Sequence, residues 1–447
     1  MKTVGWLTGA MLMAAGPALG GSWVVIGDSL SAEYASVLDA FPIPGVDDPT
    51  AYAAVTVEGW ESMSWVEILG RLRPGHVDLG DYRSSLVGWG DLRFGGYEYN
   101  FAIPGFTASQ WADIVSSSLF SNLYFLPYRR TLEGVLRERA DQVVIWLGGN
   151  EFRGRYGSIY DGADPTVLLA ELRQDLRAVV DFVQAQRADL QIVLVTIPDL
   201  GFSPDKQSAH PDPVGQARVT AATAQANAAV QELAAARGLA VADVFEWTGR
   251  LMAGEITSFG AVDLLPGAHP DNHPRYHFTR DGLHPNTSLQ LMIARIMLDA
   301  FRQTYGSEAP EITDGEALAL LGLDPDLPYW EWIAGAGGMD DAVDADSDGD
   351  GHRNLVEYAL GMDPTQADDP PVSWQAAAGA LEVHWAVDLA RSRHVQVTPE
   401  SSGDLRHWAP LPEGNVTEGP DGRRVARLPL ESGHGFLRLS VALVPVE

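Results

Sequence analysis

The 447-residue sequence has no cysteine and only two lysines, Lys2 and Lys206. Without cysteine there is no disulfide, no thiolate metal site and no lipid-modified N-terminal cysteine, so stability must come from packing or from a metal held by oxygen. With lysine nearly absent, arginine carries the positive charge, and there is little of it: 30 Lys+Arg stand against 60 Asp+Glu, for a net charge of −30. A chain so acidic is repelled by phosphate backbones, which argues against nucleic acid as a partner. Past residue 20 no stretch approaches the roughly 18 continuous apolar residues that a membrane span requires, so an integral membrane protein is not expected. What remains is an ordinarily globular composition, 46% apolar and 20% charged, in a length that suits one large domain plus something smaller, or two to three domains.

Residues 1–20 read MKTVGWLTGAMLMAAGPALG, with Lys2, an apolar stretch over Ala10–Ala15, a break at Pro17 and small residues at Ala18 and Gly20. This is the pattern of a cleaved export signal, and it predicts a secreted or periplasmic protein. The rival reading, an N-terminal core helix, conflicts with its glycines and proline.

From Ser22 to about Tyr305 short apolar runs alternate with longer helical ones. The strand candidates are Trp23–Ile26, Tyr97–Ala102, Gln142–Leu147, Gln191–Ile197 and Leu239–Val244. Between them lie helical stretches such as Pro165–Arg187 and the alanine-rich Val214–Arg237. Strands that look buried on both faces, separated by helices, predict an α/β fold with a mainly parallel five-stranded sheet between helical layers. Ligands of such sheets bind at the carboxyl ends of the strands. The boundaries that follow are an export signal at 1–20, an α/β domain at 21–305, an acidic segment at 306–370 and a small antiparallel β domain at 371–447.

The first strand runs into Gly27-Asp28-Ser29-Leu30-Ser31, which places a serine where a parallel sheet could present a nucleophile. Three further segments fall at strand ends: Asn100-Phe101-Ala102-Ile103-Pro104-Gly105, Gly148-Gly149-Asn150, and Asp281-Gly282-Leu283-His284-Pro285. In this order they resemble the blocks of the GDSL esterase/lipase family, the SGNH hydrolases, over roughly residues 22–301. The resemblance implies a flavodoxin-like α/β/α fold and a carboxylic-ester hydrolase acting through an acyl-serine intermediate, with no catalytic cofactor. Ser29 would be the nucleophile, His284 the base and Asp281 its orienting carboxylate. The Ser29 and Gly105 backbone N–H groups and the Asn150 amide would form the oxyanion hole. One departure is Glu151, where the family usually has Asp directly after the Asn; it keeps the charge on a longer arm. The bland readings, a helix-capping serine, a loop asparagine and a helix-starting histidine, would have to coincide in family order. No Gly-x-Ser-x-Gly elbow is present, which disfavours the ordinary α/β-hydrolase layout.

Aromatic residues crowd the stretch between Ser29 and Gly105 and just beyond, among them Tyr52, Trp60, Trp65, Tyr82, Trp89, Tyr97, Tyr99 and Trp111. They suit either a core or a surface for an acyl chain or sugar ring. Arg153 and Arg155 follow the third strand, near the expected cleft, where they would pair with Glu151 or Asp161 or with an anionic substrate. His269, His273 and His277 recur every fourth residue, a metal-binding spacing on a helix, but Pro270 and Pro274 forbid a regular helix. The Asn286-Thr287-Ser288 sequon lies beside His284, where a glycan would block access.

Ser307–Pro370 contains seventeen acidic residues against the single Arg353. Within it Asp346-Ser347-Asp348-Gly349-Asp350-Gly351-His352-Arg353-Asn354-Leu355-Val356-Glu357 matches the twelve-residue calcium loop D-x-D-x-D-G-x₅-E. The predicted ligands are Asp346, Asp348, Asp350, the His352 carbonyl, Asn354 and a bidentate Glu357 on a structural Ca²⁺. The segment resembles the single loops of EF-hand-like, dockerin-type or thrombospondin type 3 modules. The expected protein is thus an exported serine ester hydrolase acting on a lipid, acylated carbohydrate or small ester. The alternatives are a carbohydrate O-acetyl esterase on the same fold, or a calcium-dependent surface or adhesion protein with an inactive hydrolase domain.

Overall fold

A computed structural model describes residues 20–35, 60–84, 88–93, 95–116, 124–255, 257–337, 340–377, 379–388, 390–419, 423–430 and 435–446. The expected export signal and Tyr52 lie outside the described residues, Gly20 excepted. Two compact units form. One comprises the chain to Glu255 with Leu265–Ile312, the other Ile256–Leu264 with Thr313–Glu447.

The first unit is built on five parallel strands: β1 (Gly21–Gly27), β2 (Val77–Asp78), β3 (Gln142–Trp146), β4 (Gln191–Val195) and β5 (Ala240–Ala242), in the order β2-β1-β3-β4-β5. Helices cover both faces. Val24, Ile26, Val143, Ile145, Ile192 and Leu194 point into one core with Trp111, Leu132, Val179 and Val230. Their neighbours Trp23, Val25, Val144 and Val193 face the other way and are equally buried, Trp23 packing its ring 4.2 Å from that of Phe301. Burial on both faces is why these strands read as unbroken apolar runs rather than alternating ones.

The helices are α1 (Trp65–Leu72), α2 (Ala108–Val115), α3 (Leu126–Glu138), α4 (Gly149–Tyr160), α5 (Thr166–Gln186), α6 (Pro213–Arg237), α7 (Val244–Met252) and α8 (Thr287–Tyr305). Their ends are written locally. Capping boxes start α1 (Ser64 and Glu67) and α2 (Thr107 and Gln110), and Asp212 with Pro213 starts α6, which Gly238 ends.

One expected strand differs. Residues 97–102 are not a regular strand; the chain from Tyr99 to Ile103 runs beside β1 through Val25 N to Tyr99 O (3.0 Å), Phe101 N to Val25 O (2.8 Å) and Ile103 N to Gly27 O (3.0 Å). The fifth strand is instead the two-residue β2, too short for any periodicity to reveal.

In the second unit the helices α9 (Asp314–Leu321), α10 (Leu327–Gly335) and α11 (Asn354–Leu360) accompany seven antiparallel strands. These are β6 (Ser373–Ala377), β7 (Ala380–Ala386), β8 (Val395–Ser402), β9 (Ala409–Pro410), β10 (Val416–Glu418), β11 (Arg423–Pro429) and β12 (Phe436–Leu443), forming sheets β6-β7-β11-β10 and β9-β8-β12. Both sheets contribute to one core with Tyr329, Tyr358 and Leu360. In that core His394 is held between the Tyr358 hydroxyl (3.0 Å) and Asp326 (3.2 Å).

Candidate active site

β1 ends at Gly27 and the chain turns at once. Leu30 N donates to Asp28 Oδ1 (2.9 Å), while Ser31 N and Ala32 N donate to the Asp28 carbonyl. The turn presents Ser29 at the carboxyl end of the strand, only 5% exposed. Across from it, Asp281 and His284 share a loop before α8, closed by Thr279 N to His284 O and Gly282 N to Thr279 O, each 2.9 Å.

His284 Nε2 lies 3.0 Å from Ser29 Oγ, and Nδ1 lies 2.5 Å from Asp281 Oδ2. The other Asp281 oxygen accepts from Thr279 Oγ1, Leu283 N and His284 N at 2.8, 2.8 and 2.9 Å. Burial acts to raise the Asp281 carboxyl, but the His284 ring and these donors outweigh it and hold it below the usual carboxylate range. With Asp281 ionised, the proton sits on Nδ1 and Nε2 turns a lone pair to the hydroxyl. Behind the ring, Tyr34 donates to the Pro285 carbonyl (3.0 Å) and accepts from Gln290 (2.8 Å).

The segment beside β1 reaches the level of Ser29 and bends at Pro104-Gly105, where Gly105 has φ +77°, the left-handed region that glycine enters freely. Asn150 stands in the first turn of α4, preceded by Gly148 at φ +110°. Any side chain at Gly148 would be strained, and its Cβ would also meet Ile197 Cδ1 at 2.5 Å. Asn150 Nδ2 donates to the Phe106 carbonyl (2.9 Å) and Asp28 Oδ2 (3.2 Å). Among the described residues nothing engages the Ser29 or Gly105 backbone N–H. The structure therefore brings Ser29, Asn150, Asp281 and His284 together at one end of the sheet, with Gly105 directly before the Phe106 to which Asn150 bonds.

Two carboxyls there take surroundings that the sequence did not reveal. Asp28, treated only as part of a motif, is buried and pushed up to about 6 by that burial, against the Leu30 amide and the charges of His284 and Arg153. Glu151 reaches the N-terminus of α2, where Ala108 N donates to Oε1 at 2.5 Å; Oε2 is buried without a partner, and burial raises the carboxyl to about 7. The longer arm of Glu151 thus ties α4 to the helix that follows Gly105. A hydrophilic residue directly after Asn150 was the available signal, but its partner lies 43 positions away.

The cleft at Ser29 is lined by Asp28, Leu30, Asn150, Arg153, Leu200, Leu283 and His284, among others. Arg153 is where its position suggested; Arg155 is exposed elsewhere on α4. None of the described aromatics named above lines this cleft. Trp65, Tyr99 and Trp111 are core, Trp111 donating to the Gly27 carbonyl (3.0 Å), Trp89 carries the Arg83 guanidinium 4.0 Å above its ring, and Trp60 packs on His273. The three histidines form no metal group among the described residues. His269 and His273 accept backbone N–H bonds through Nδ1, and His277 is buried with neither ring nitrogen bonded, which depresses it to about 4.

In the second unit the expected calcium loop curls around Gly349 (φ +80°) and Gly351 (φ +96°). Carboxylate oxygens of Asp346, Asp348 and Asp350 lie within 4.8 Å of one another, as do those of Asp350, Glu357 and Asp368. Both Glu357 oxygens, Asn354 Oδ1 and Asp348 Oδ2 are buried with no hydrogen-bond partner. Buried carboxylate oxygens left unpaired and crowded by like charge are what an oxygen-seeking cation compensates, so these residues fit calcium. Asp368, outside the twelve-residue pattern, adds a carboxylate to this group that the motif could not name.

Residues 79–289 match the family model described as the GDSL-like Lipase/Acylhydrolase family. The match takes in Gly105, Asn150, Asp281 and His284 and begins after Ser29. No curated protein matches the chain. Among solved structures, the chain is similar to an extracellular lipase from Streptomyces rimosus (16% identity, 63% of this chain and 100% of that one, TM-score 0.35) and a phospholipase A1 from Streptomyces albidoflavus (14%, 63% and 99%, 0.35). It is also similar to a family 3 carbohydrate esterase from Clostridium thermocellum (12%, 65% and 100%, 0.31).

Proposed function

We propose that this chain, whose residues 79–289 match a GDSL-like lipase/acylhydrolase model, is a hydrolase that cleaves carboxylic esters through an acyl-Ser29 intermediate. The observation that carries this reading is the continuous line Ser29 Oγ, His284, Asp281, with links of 3.0 and 2.5 Å. His284 Nε2 takes the hydroxyl proton as Oγ attacks the carbonyl carbon; Asp281 keeps the imidazole in the tautomer that can accept it and stabilises the imidazolium. The oxyanion receives hydrogen bonds from the Ser29 and Gly105 N–H groups and from Asn150. Collapse expels the alcohol, which takes the proton from His284, and water, activated by the same nitrogen, releases the acid. No step calls for a metal.

We propose further that the chain is exported through residues 1–20, and that one Ca²⁺ is held by Asp346, Asp348, Asp350, the His352 carbonyl, Asn354, Glu357 and Asp368, far in sequence from Ser29. Its role is structural: it neutralises carboxylates that would otherwise repel one another in a partly buried loop.

Hydrolysis of p-nitrophenyl esters by the full chain and by Ser29→Ala tests the catalytic reading. Activity in the parent and its loss in the variant, with unchanged melting, is expected. Equal activity in both, or none in the parent at any acyl length, refutes it.

A further inference from the structure

Asn150 and Glu151 are consecutive residues in the first turn of α4, and both reach the same short stretch of chain. Asn150 Nδ2 donates to the Phe106 carbonyl (2.9 Å), and Ala108 N donates to Glu151 Oε1 (2.5 Å). The stretch that begins at Gly105 is thereby held at two points. The start of α2 explains why it takes a carboxylate. Thr107 Oγ1 accepts from Gln110 N (3.2 Å) and Gln110 Oε1 accepts from Thr107 N (2.9 Å), which leaves the Ala108 and Ser109 amides, at the positive end of the helix, without a partner inside it. Glu151 takes the first, and the Ser109 amide also favours its charge.

This tie is more demanding than a helix cap has to be. α2 already begins with a capping box and does not need Glu151 to start. Glu151 Oε2 is buried with no hydrogen-bond partner, the Asp28 carboxylate opposes its charge, and among the described residues no arginine pairs with it. Burying a carboxylate so incompletely is unfavourable, and departures of this kind are kept where function needs them.

We propose that Glu151 is a positioning residue for the oxyanion hole: by holding the start of α2 to α4 it sets the Gly105 N–H and the Asn150 amide at the separation that one oxyanion requires. The proposal rests on the acyl-Ser29 reading and deepens it. Glu151 touches no reacting atom and acts through residues 105–108. Of the two ties on that stretch, only the one through Glu151 uses no group that the substrate oxygen also claims. Its arm length matters, because Asp is shorter by one C–C bond, about 1.5 Å. With Asp the bond to Ala108 N either breaks or draws α2 towards α4, and in both cases Gly105 moves relative to Asn150.

The test is kcat and KM for p-nitrophenyl acetate, with melting temperatures, on the full chain and on Glu151→Asp, Glu151→Gln and Ala108→Pro. Glu151→Asp should lower kcat by about ten- to a hundredfold with KM within about threefold, the pattern of a transition-state donor out of place. Glu151→Gln, which keeps an oxygen at the reach of Oε1, should lose less than Glu151→Asp. Ala108→Pro removes the donor instead of the acceptor: proline suits the first position of a helix, and Thr107 before it is already extended (φ −94°, ψ 163°). Its kcat should fall as in Glu151→Asp, and if one of these two is unfolded the other decides. In an Asn150→Ala background Glu151→Asp should cost less than about threefold, since both changes act on the same oxyanion. A kcat for Glu151→Asp within about twofold of the parent, or a loss undiminished in that background, overturns the positioning role, while Ser29-dependent hydrolysis leaves the esterase reading standing. An absence of any Ser29-dependent hydrolysis overturns both.

Discussion

Glu357→Gln is the sharpest perturbation of the second unit because its sign depends on calcium. Both carboxylate oxygens of Glu357 are buried and unpaired, and burial together with Asp348, Asp350, Asp368 and Asp346 pushes the group up to about 7. Without an ion this charge is a liability, so the amide, of equal volume and uncharged, should melt at the same temperature as the parent or higher in EGTA. With calcium the order inverts. Free Ca²⁺ at a hundred times its Kd stabilises the folded unit by about 2.7 kcal/mol, and at this size each kcal/mol is worth roughly 4 °C, so the parent should gain roughly 10 °C. Glu357→Gln loses the bidentate ligand and most of that gain. The assay is calorimetry of the full chain with EGTA and with CaCl₂, following the transition that calcium moves; Ser29→Ala serves as a control whose response to calcium should match the parent. A melting profile identical in EGTA and calcium refutes the site. So does a Glu357→Gln variant that loses the same amount in both, because that is the signature of a packing defect.

Two further outcomes follow from the first unit. Asn150→Ala removes one proposed oxyanion donor and should lower kcat by about a hundred- to a thousandfold with a smaller change in KM, read from steady-state kinetics; a change under about threefold excludes it as a donor. His277 is neutral in the folded chain, with its affinity for a proton lowered from 6.5 to about 4. The unfolded chain therefore binds the extra proton first, and the stability due to this residue is complete above 6.5 and is lost as pH falls towards 4, by up to roughly 3 kcal/mol. His277→Phe should flatten that part of a denaturation-against-pH curve, and a curve of unchanged slope between those limits would show that His277 is not its source.

Legibility in the sequence followed from how local each feature is. β1, β3, β4 and β5, and the helices α5 and α6, were visible because each is a self-contained pattern, apolar runs in the one case and 3.6-residue spacing with caps in the other. The Asp281–His284 pair was visible because three residues bring both groups into one loop. The Asp346–Glu357 pattern was visible for the same reason, since a calcium loop writes its ligands consecutively. What stayed hidden depends on distant partners. Asp28 gains its character from burial and from Asn150, and Glu151 from the start of α2. The segment 99–103 misled because its pairing with β1 is a partial ladder with one bridge, which apolar alternation does not distinguish from a strand.

The resting geometry adds one constraint to the proposed chemistry. Both acceptors of the Asn150 amide nitrogen are protein groups, the Phe106 carbonyl and Asp28 Oδ2. An oxyanion at Ser29 must therefore share or replace one of them. The bond to Asp28 is the longer of the two, 3.2 against 2.9 Å, and Asp28 also holds the Leu30 amide through its other oxygen. On the proposed mechanism Asn150 keeps its hold on Phe106, whose carbonyl follows Gly105 directly, and yields the hydrogen shared with Asp28. The charge that develops on the substrate oxygen then competes with a carboxyl in a buried setting, and Asp28 serves the resting enzyme by keeping the amide oriented before substrate arrives. Preorganisation of this kind is what makes an oxyanion donor effective, because little reorientation is left for the transition state.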